Sequence, residues 1–137
     1  MRHVATDGAP MPAGHYSQAV EHGAVVYVSA QLPLTPSGVP LAGSSDVDSQ
    51  TAQVLQNINS ILLAAGSCRQ NVLRVCVYVN DIAHWPVVND RYKKFFGDHK
   101  PARSVVEVSG LHFGCSVAMD AVAFVDDTGD RHSAVVV

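Results

Sequence analysis

Between Val47 and Ala65 a largely apolar set, Val47, Thr51, Val54, Leu55, Ile58, Ile61, Leu62 and Ala65, recurs at steps of three and four residues. That period gathers the set on one stripe of an α-helix and leaves the other faces polar. A helix with a single apolar stripe must bury it against another layer, so the chain has to supply one. Ser45 with Asp48 forms a capping box in which Asp stands in for the longer Glu, and Gly66 follows where a left-handed C-terminal cap is needed.

The flanking segments read as that second layer. Tyr16 to Val20 and Ala24 to Val28 form a pair of short strands, with Gly23 supplying the tight turn. Gln31 to Gly38 is a Pro/Gly-rich connection in which no helix persists. Asn71 to Asn80 alternates as a strand, with Leu73, Val75, Val77 and Val79 facing the core and Val72, Arg74, Cys76 and Tyr78 facing away. A second helix runs from about Ala83 to Phe96. Asp81 caps it, Pro86 sits in its first turn, Trp85, Val88, Tyr92 and Phe95 form its stripe, and Gly97 closes it. Ser104 to Val108 and Cys115 to Val125 are the last two strands, and the polar tail from Asp126 is expected to be flexible.

The order β-β-α-β-α-β-β implies an α+β domain, a mixed sheet with both helices on one face. Its other face then carries Val105, Ala118, Val122 and Phe124. That is an apolar patch larger than monomers tolerate, so oligomerisation is expected. A charged fraction of 15%, against roughly 25% in an average soluble domain, agrees with a surface partly covered by other subunits. With 137 residues the chain forms one domain, its core spanning about residues 8–125.

Charge removes several function classes. The net charge is −3 and the nine Lys and Arg are scattered, so the basic stripe of a nucleic-acid binder is missing. No run approaches the roughly 18 apolar residues of a membrane span, and the N-terminus lacks a secretory apolar region, so a cytoplasmic protein is expected. Cys68, Cys76 and Cys115 are odd in number and not spaced as CxxC, and they read as reduced thiols. The seven histidines lack i, i+4 ligand spacing, so no metal is expected; His84, His99 and His112 read as histidines beside loops.

No P-loop, GxGxxG, GxSxG or HExxH is present, and the chemistry falls to single polar residues near strand ends. Arg103, in Lys100-Pro101-Ala102-Arg103-Ser104, suits bidentate capture of a carboxylate; its other reading is an arginine lying over the sheet edge or pairing with Glu107. Tyr16, after the Gly14 turn, either donates to a ligand or packs with its hydroxyl wet. Ser29 ends a strand as a hydrogen-bond donor without a sequence-local His or Asp, and Asn89 lies between Trp85 and Lys93 on the margin of the helical stripe.

Taken together, Gly14-His15-Tyr16-Ser17-Gln18-Ala19, Val28-Ser29-Ala30-Gln31-Leu32-Pro33-Leu34, Gln50-Thr51, Gln56-Asn57, Val77-Tyr78-Val79-Asn80-Asp81, Val88-Asn89-Asp90-Arg91-Tyr92 and Phe95 to Ser104 resemble the RidA/YjgF family of reactive-intermediate deaminases, formerly labelled endoribonucleases or translation inhibitors. The resemblance covers about residues 8–125 and is most specific at Pro101-Ala102-Arg103-Ser104. It implies a chorismate-mutase-like sheet, a homotrimer with ligand clefts between subunits, and hydrolysis of 2-imino or enamine acids, such as 2-aminoacrylate or 2-iminobutyrate, to 2-keto acids and ammonia. No cofactor is implied. Arg103 falls on the family's carboxylate-binding arginine, with Tyr16, Ser29 and Asn89 on its cleft-lining tyrosine, serine and asparagine.

Four positions depart from the pattern. Ala118 stands where the family's Glu-x-Glu-Ala strand has its first, water-positioning glutamate, and Asp120 stands at the second. Val105 replaces a polar or thiol side chain, and Ala30 a frequent glycine. Asp120 is on the same side as Ala118 but about 6–7 Å along the strand, and it is the candidate substitute acid. Two functions follow: a deaminase, general or pathway-specific, or a small-carboxylate-binding relative whose turnover has fallen with the glutamate. An RNA-cleaving role is disfavoured, because the chain lacks both a basic stripe and an acid/base histidine pair.

Overall fold

The computed structural model describes residues 1–41 and 46–126. It comprises six strands and two helices: β1 (Arg2–Val4), β2 (Ala19–His22), β3 (Val25–Gln31), α1 (Val47–Ala64), β4 (Val72–Val79), α2 (Trp85–Phe96), β5 (Ala102–Glu107) and β6 (Val117–Phe124). The strands form one sheet in the order β1-β2-β3-β6-β4-β5, in which β4 and β5 run parallel and every other pair is antiparallel. The expected α+β layering is present with one additional strand. β1 extends the edge, tied by the Arg2 to Glu21 ion pair at 2.7 Å, and carries Val4 into the core.

Both helices cover one face. Val54, Leu55, Ile58, Ile61 and Leu62 of α1 and Val88, Tyr92 and Phe96 of α2 share a core with Val26, Val28, Val75, Val77, Met119 and Ala121 of the sheet. Each large apolar side chain so buried contributes about 1.5–3 kcal/mol. A bidentate Arg91 to Asp48 pair, at 2.9 and 2.7 Å, joins α2 to the start of α1.

Local chemistry sets the element ends. Gly23 and Ala24 both take positive φ between the paired His22 and Val25, the two-residue turn whose twist suits a hairpin. The N-cap of α1 is Asp46, which accepts from Ser49 N at 2.8 Å; Ser45 of the expected capping box lies outside the described residues. At the other end Ser67 N reaches Leu62 O and Gly66 N reaches Leu63 O, with Gly66 at φ 81. That is a Schellman cap. A 3-10 turn, Ile82–His84, precedes α2 and takes the Asp81 cap at Ala83 N, and Phe96 rather than Phe95 is the fully buried member of the α2 stripe.

Two face assignments need correction. In β4 Val72 is buried and Leu73 is 48% exposed, the reverse of simple alternation, because the register with β6 slips between Val72 and Arg74. Val105 pairs with Val77 and packs on the core, so it belongs to the helix side of β5 and not to the bare face. The bare face carries Tyr27, Val122, Phe124, Ala118 and Val106. No described helix is long and apolar enough to cross a membrane. The expected flexible tail from 127 onward lies outside the described residues.

Candidate functional site

Three buried amides hold the segments that shape the bare face. Gln18 accepts from Thr6 N at 2.7 Å and donates to the carbonyls of Thr6 and Pro10, both at 3.0 Å, locking the N-terminal segment just before Tyr16. Asn57 of α1 donates to the Leu32 and Leu34 carbonyls, which seats the Pro-rich connection. Gln50 accepts from Ser116 N at 2.8 Å and fixes the entry to β6. A buried amide left without partners would cost several kcal/mol, so these contacts fix the loop positions firmly. Gln18, Gln50 and Asn57 were matched in the sequence as part of the resemblance, and their work is to hold the cavity walls.

The β3 register slips between Val28 and Gln31, so Ser29 and Ala30 bulge out of the β3–β6 ladder. The bulge, Tyr16, Leu32, Tyr78, Ala118 and the β5–β6 loop residues Gly110, Leu111 and His112 enclose a cavity of about 650 Å³. Its walls are mainly apolar. Ser29 Oγ donates to Ser17 O at 2.7 Å, while the Tyr16 hydroxyl has no hydrogen-bond partner among the described residues. Ala118 is buried opposite Tyr78, and the Tyr78 hydroxyl donates to Asp120 Oδ2 at 2.7 Å. That hydrogen bond, with burial second, pushes the Tyr78 phenol up to about 12.

Arg103 lies elsewhere. It pairs with Val75 on the helix side of β5, and its guanidinium sits 4.4 Å from the Trp85 ring centre and 4.9 Å from that of Tyr92. Nη1 donates to Asn89 Oδ1 at 3.0 Å, which leaves Nε and Nη2 without an acceptor among the described residues. The alternative pairing with Glu107 is not made; Glu107 accepts from Ile82 N instead. Trp85, Asn89 and Tyr92 recur at helical spacing along α2 and present two rings and one amide to the arginine. Burial pushes the Tyr92 phenol up to about 12, with Arg103 opposing. These residues adjoin a groove of about 520 Å³ that also includes Lys93, His99 and Lys100.

The structure therefore sorts the predicted site residues into two halves. Tyr16, Ser29, Ala30 and Ala118 line the bare-face cavity, with Asp120 behind Tyr78. Arg103, Asn89 and Val105 belong to the helix side of the edge strand. Sequence reading missed Tyr78, Leu32 and His112 as cavity walls and Trp85 with Tyr92 as the arginine's platform. The i, i+4, i+7 spacing of Trp85, Asn89 and Tyr92 was visible, but it read as a core stripe. Among the described residues no group of three His, Cys, Asp or Glu side chains could hold a metal ion.

A mixed sheet with two helices on one face, an apolar cavity on the other and an aromatic-clamped arginine at its edge defines a small α+β domain with the features of a small-molecule-binding family. Residues 6–125 match the family described as Endoribonuclease L-PSP, and the chain belongs to that family, which is the RidA/YjgF family. A RutC family protein of Pyrococcus horikoshii is 38% identical over 121 residues, 88% of this chain and 95% of its own length. RidA from an Antarctic Psychrobacter superposes with a TM-score of 0.85 at 32% identity, over 91% of this chain and all of that one. TdcF of Escherichia coli, solved with bound serine, gives a TM-score of 0.85 at 30% identity, over 92% of this chain and 100% of its own.

Proposed function

We propose that the protein hydrolyses reactive 2-imino or enamine acids of the 2-aminoacrylate or 2-iminobutyrate type to 2-keto acids and ammonia. The reaction would take place in clefts of a homotrimer that bring Arg103 of one copy to the cavity of another. The observation that carries this reading is the arginine itself. Its plane is fixed by two rings and one amide, and its remaining N–H edge has the geometry of a carboxylate receptor. Serine bound to TdcF supports a small amino-acid-like ligand, since 2-aminoacrylate is serine less one water.

Imines hydrolyse readily in water, so holding the substrate carboxylate and one water in line lowers the remaining barrier enough. A second reading, a 2-keto acid binder without turnover, draws on Ala118, whose methyl group occupies the position of the expected acid. Measuring decay of enzymatically generated 2-iminobutyrate with and without the protein separates them. Acceleration supports the deaminase. Binding of 2-oxobutyrate without acceleration would establish the binder.

A further inference from the structure

Among the described residues the bare-face cavity has no carboxylate in its wall; its polar side chains are Tyr16, Ser29, Tyr78 and His112. The carboxylate it can draw on stands behind Tyr78. In the β4–β6 register Tyr78 faces Ala118 and Cys76 faces Asp120, so Tyr78 and Asp120 are diagonal neighbours on one sheet face. Across that diagonal the Tyr78 hydroxyl donates to Asp120 Oδ2 at 2.7 Å. A phenol has one proton, and here that proton is committed to the carboxylate. What Tyr78 retains for the cavity is acceptor capacity alone.

We propose that Tyr78 accepts a proton from the attacking water while Asp120, as its positioning residue, takes the phenolic proton. The inference rests on the deaminase reading. In the addition step the water oxygen bonds to C2 of the protonated imine and the C=N π pair moves to nitrogen. One water proton passes to the Tyr78 oxygen as the Tyr78 proton passes to Asp120 Oδ2. In the second step the proton returns from Asp120 through Tyr78 to the amine nitrogen. The C–N bond then breaks and ammonia leaves, while the C2 hydroxyl becomes the keto oxygen and loses its proton to solvent.

A phenol alone is too weak a base for this work. It becomes one only because its own proton departs at the same moment, so the basicity is that of the carboxylate. The phenol is protonated before reaction, as the relay requires, and its hydrogen bond to Asp120 pushes it further up, to about 12. The family's glutamate position is thus vacated at Ala118, and its role passes to an acid two residues along that reaches the cavity through a tyrosine. His112 is the competing proton carrier. It is exposed on a loop, and among the described residues the one ring contact it makes is with Phe113, at 6.1 Å.

The test compares wild type, Tyr78→Phe, Asp120→Asn and His112→Ala for kcat and KM on 2-iminobutyrate, for Kd of 2-oxobutyrate by calorimetry, and for assembly by light scattering. Tyr78→Phe and Asp120→Asn are each expected to lower kcat about 10²-fold, with 2-oxobutyrate binding and assembly intact and the solvent deuterium isotope effect on kcat changed. His112→Ala should stay near wild type. A kcat loss confined to His112→Ala would assign the proton transfer to the imidazole and overturn the relay. Full kcat in either Tyr78→Phe or Asp120→Asn overturns the relay and leaves the deaminase reading standing. A loss that follows weakened binding or broken assembly also overturns it, since the pair would then be structural. A wild type that binds 2-oxobutyrate without turnover removes the deaminase reading and the relay with it.

Discussion

Arg103 is held by ring faces and an amide oxygen, with no ion pair to a carboxylate among the described residues. A salt-bridged arginine would have its charge already satisfied; the rings and the amide leave that of Arg103 available, as the proposed carboxylate role requires. Arg103→Ala should therefore abolish measurable 2-oxobutyrate binding. Arg103→Lys should weaken it about tenfold or more, since an ammonium is a point charge and cannot form the two-pronged contact. Calorimetry reads both variants, and undiminished binding in Arg103→Ala would overturn the carboxylate assignment. At this scale the sequence singled out Arg103, because an arginine between a loop and an apolar strand is a local signal, but not the Trp85 and Tyr92 platform that holds it. The sequence was not legible where a role depends on a diagonal partner. Tyr78 and Asp120 are 42 residues apart, and only the strand pairing makes them neighbours.

The elements repeat that contrast. Both helices were readable because an apolar stripe of period 3.6 and a glycine stop are local signals, whereas the bulge at Val72 and Leu73 was not, because it arises from the register with β6. β1 was invisible for another reason: two of its three residues are exposed, so it lacks an apolar pattern. The α1 cap offers a direct measurement. Asp46 is held below its usual 3.8 chiefly by the Ser49 N–H, and Asp48 below the same value by Arg91. A lowered folded pKa contributes stability that is complete above the unfolded value and is lost as pH falls through the folded one. Asp46→Ala should thus lower the Tm by a few degrees at pH 7, and the gap from wild type should close below pH 3.8. Asp46→Asn caps without titrating and should melt near wild type at pH 7. A gap unchanged from pH 7 to pH 2 would show that the carboxylate charge is not what stabilises this end.

For the whole molecule, the decisive fact is that one chain carries both halves of the candidate site on opposite sides of its sheet. Ala118 and Tyr78 alternate away from Val77 and Met119, whereas Arg103 shares the face of Val75. On the proposed reading a cleft that joins the two halves draws them from two copies, and the exposed Tyr27 and half-exposed Val122 and Phe124 give the bare face an apolar surface to cover. Mixing two crippled chains tests this without requiring turnover. Arg103→Ala removes the receptor half. Ala30→Trp fills the cavity half at a position exposed in the single chain, so the fold should tolerate it. Neither variant alone should bind 2-oxobutyrate. In equal mixtures assembled together, each cleft draws its halves from two chains at random, so about a quarter of clefts should be intact and bind normally. Calorimetry gives the bound fraction per chain, and native mass spectrometry confirms that mixed assemblies formed and counts their subunits. If each site lay within one chain, no mixture could recover binding, because every chain would carry one defect. Mixed assemblies with no recovered binding would therefore sink the shared cleft, and a persistent monomer at micromolar concentration would sink the trimer with it.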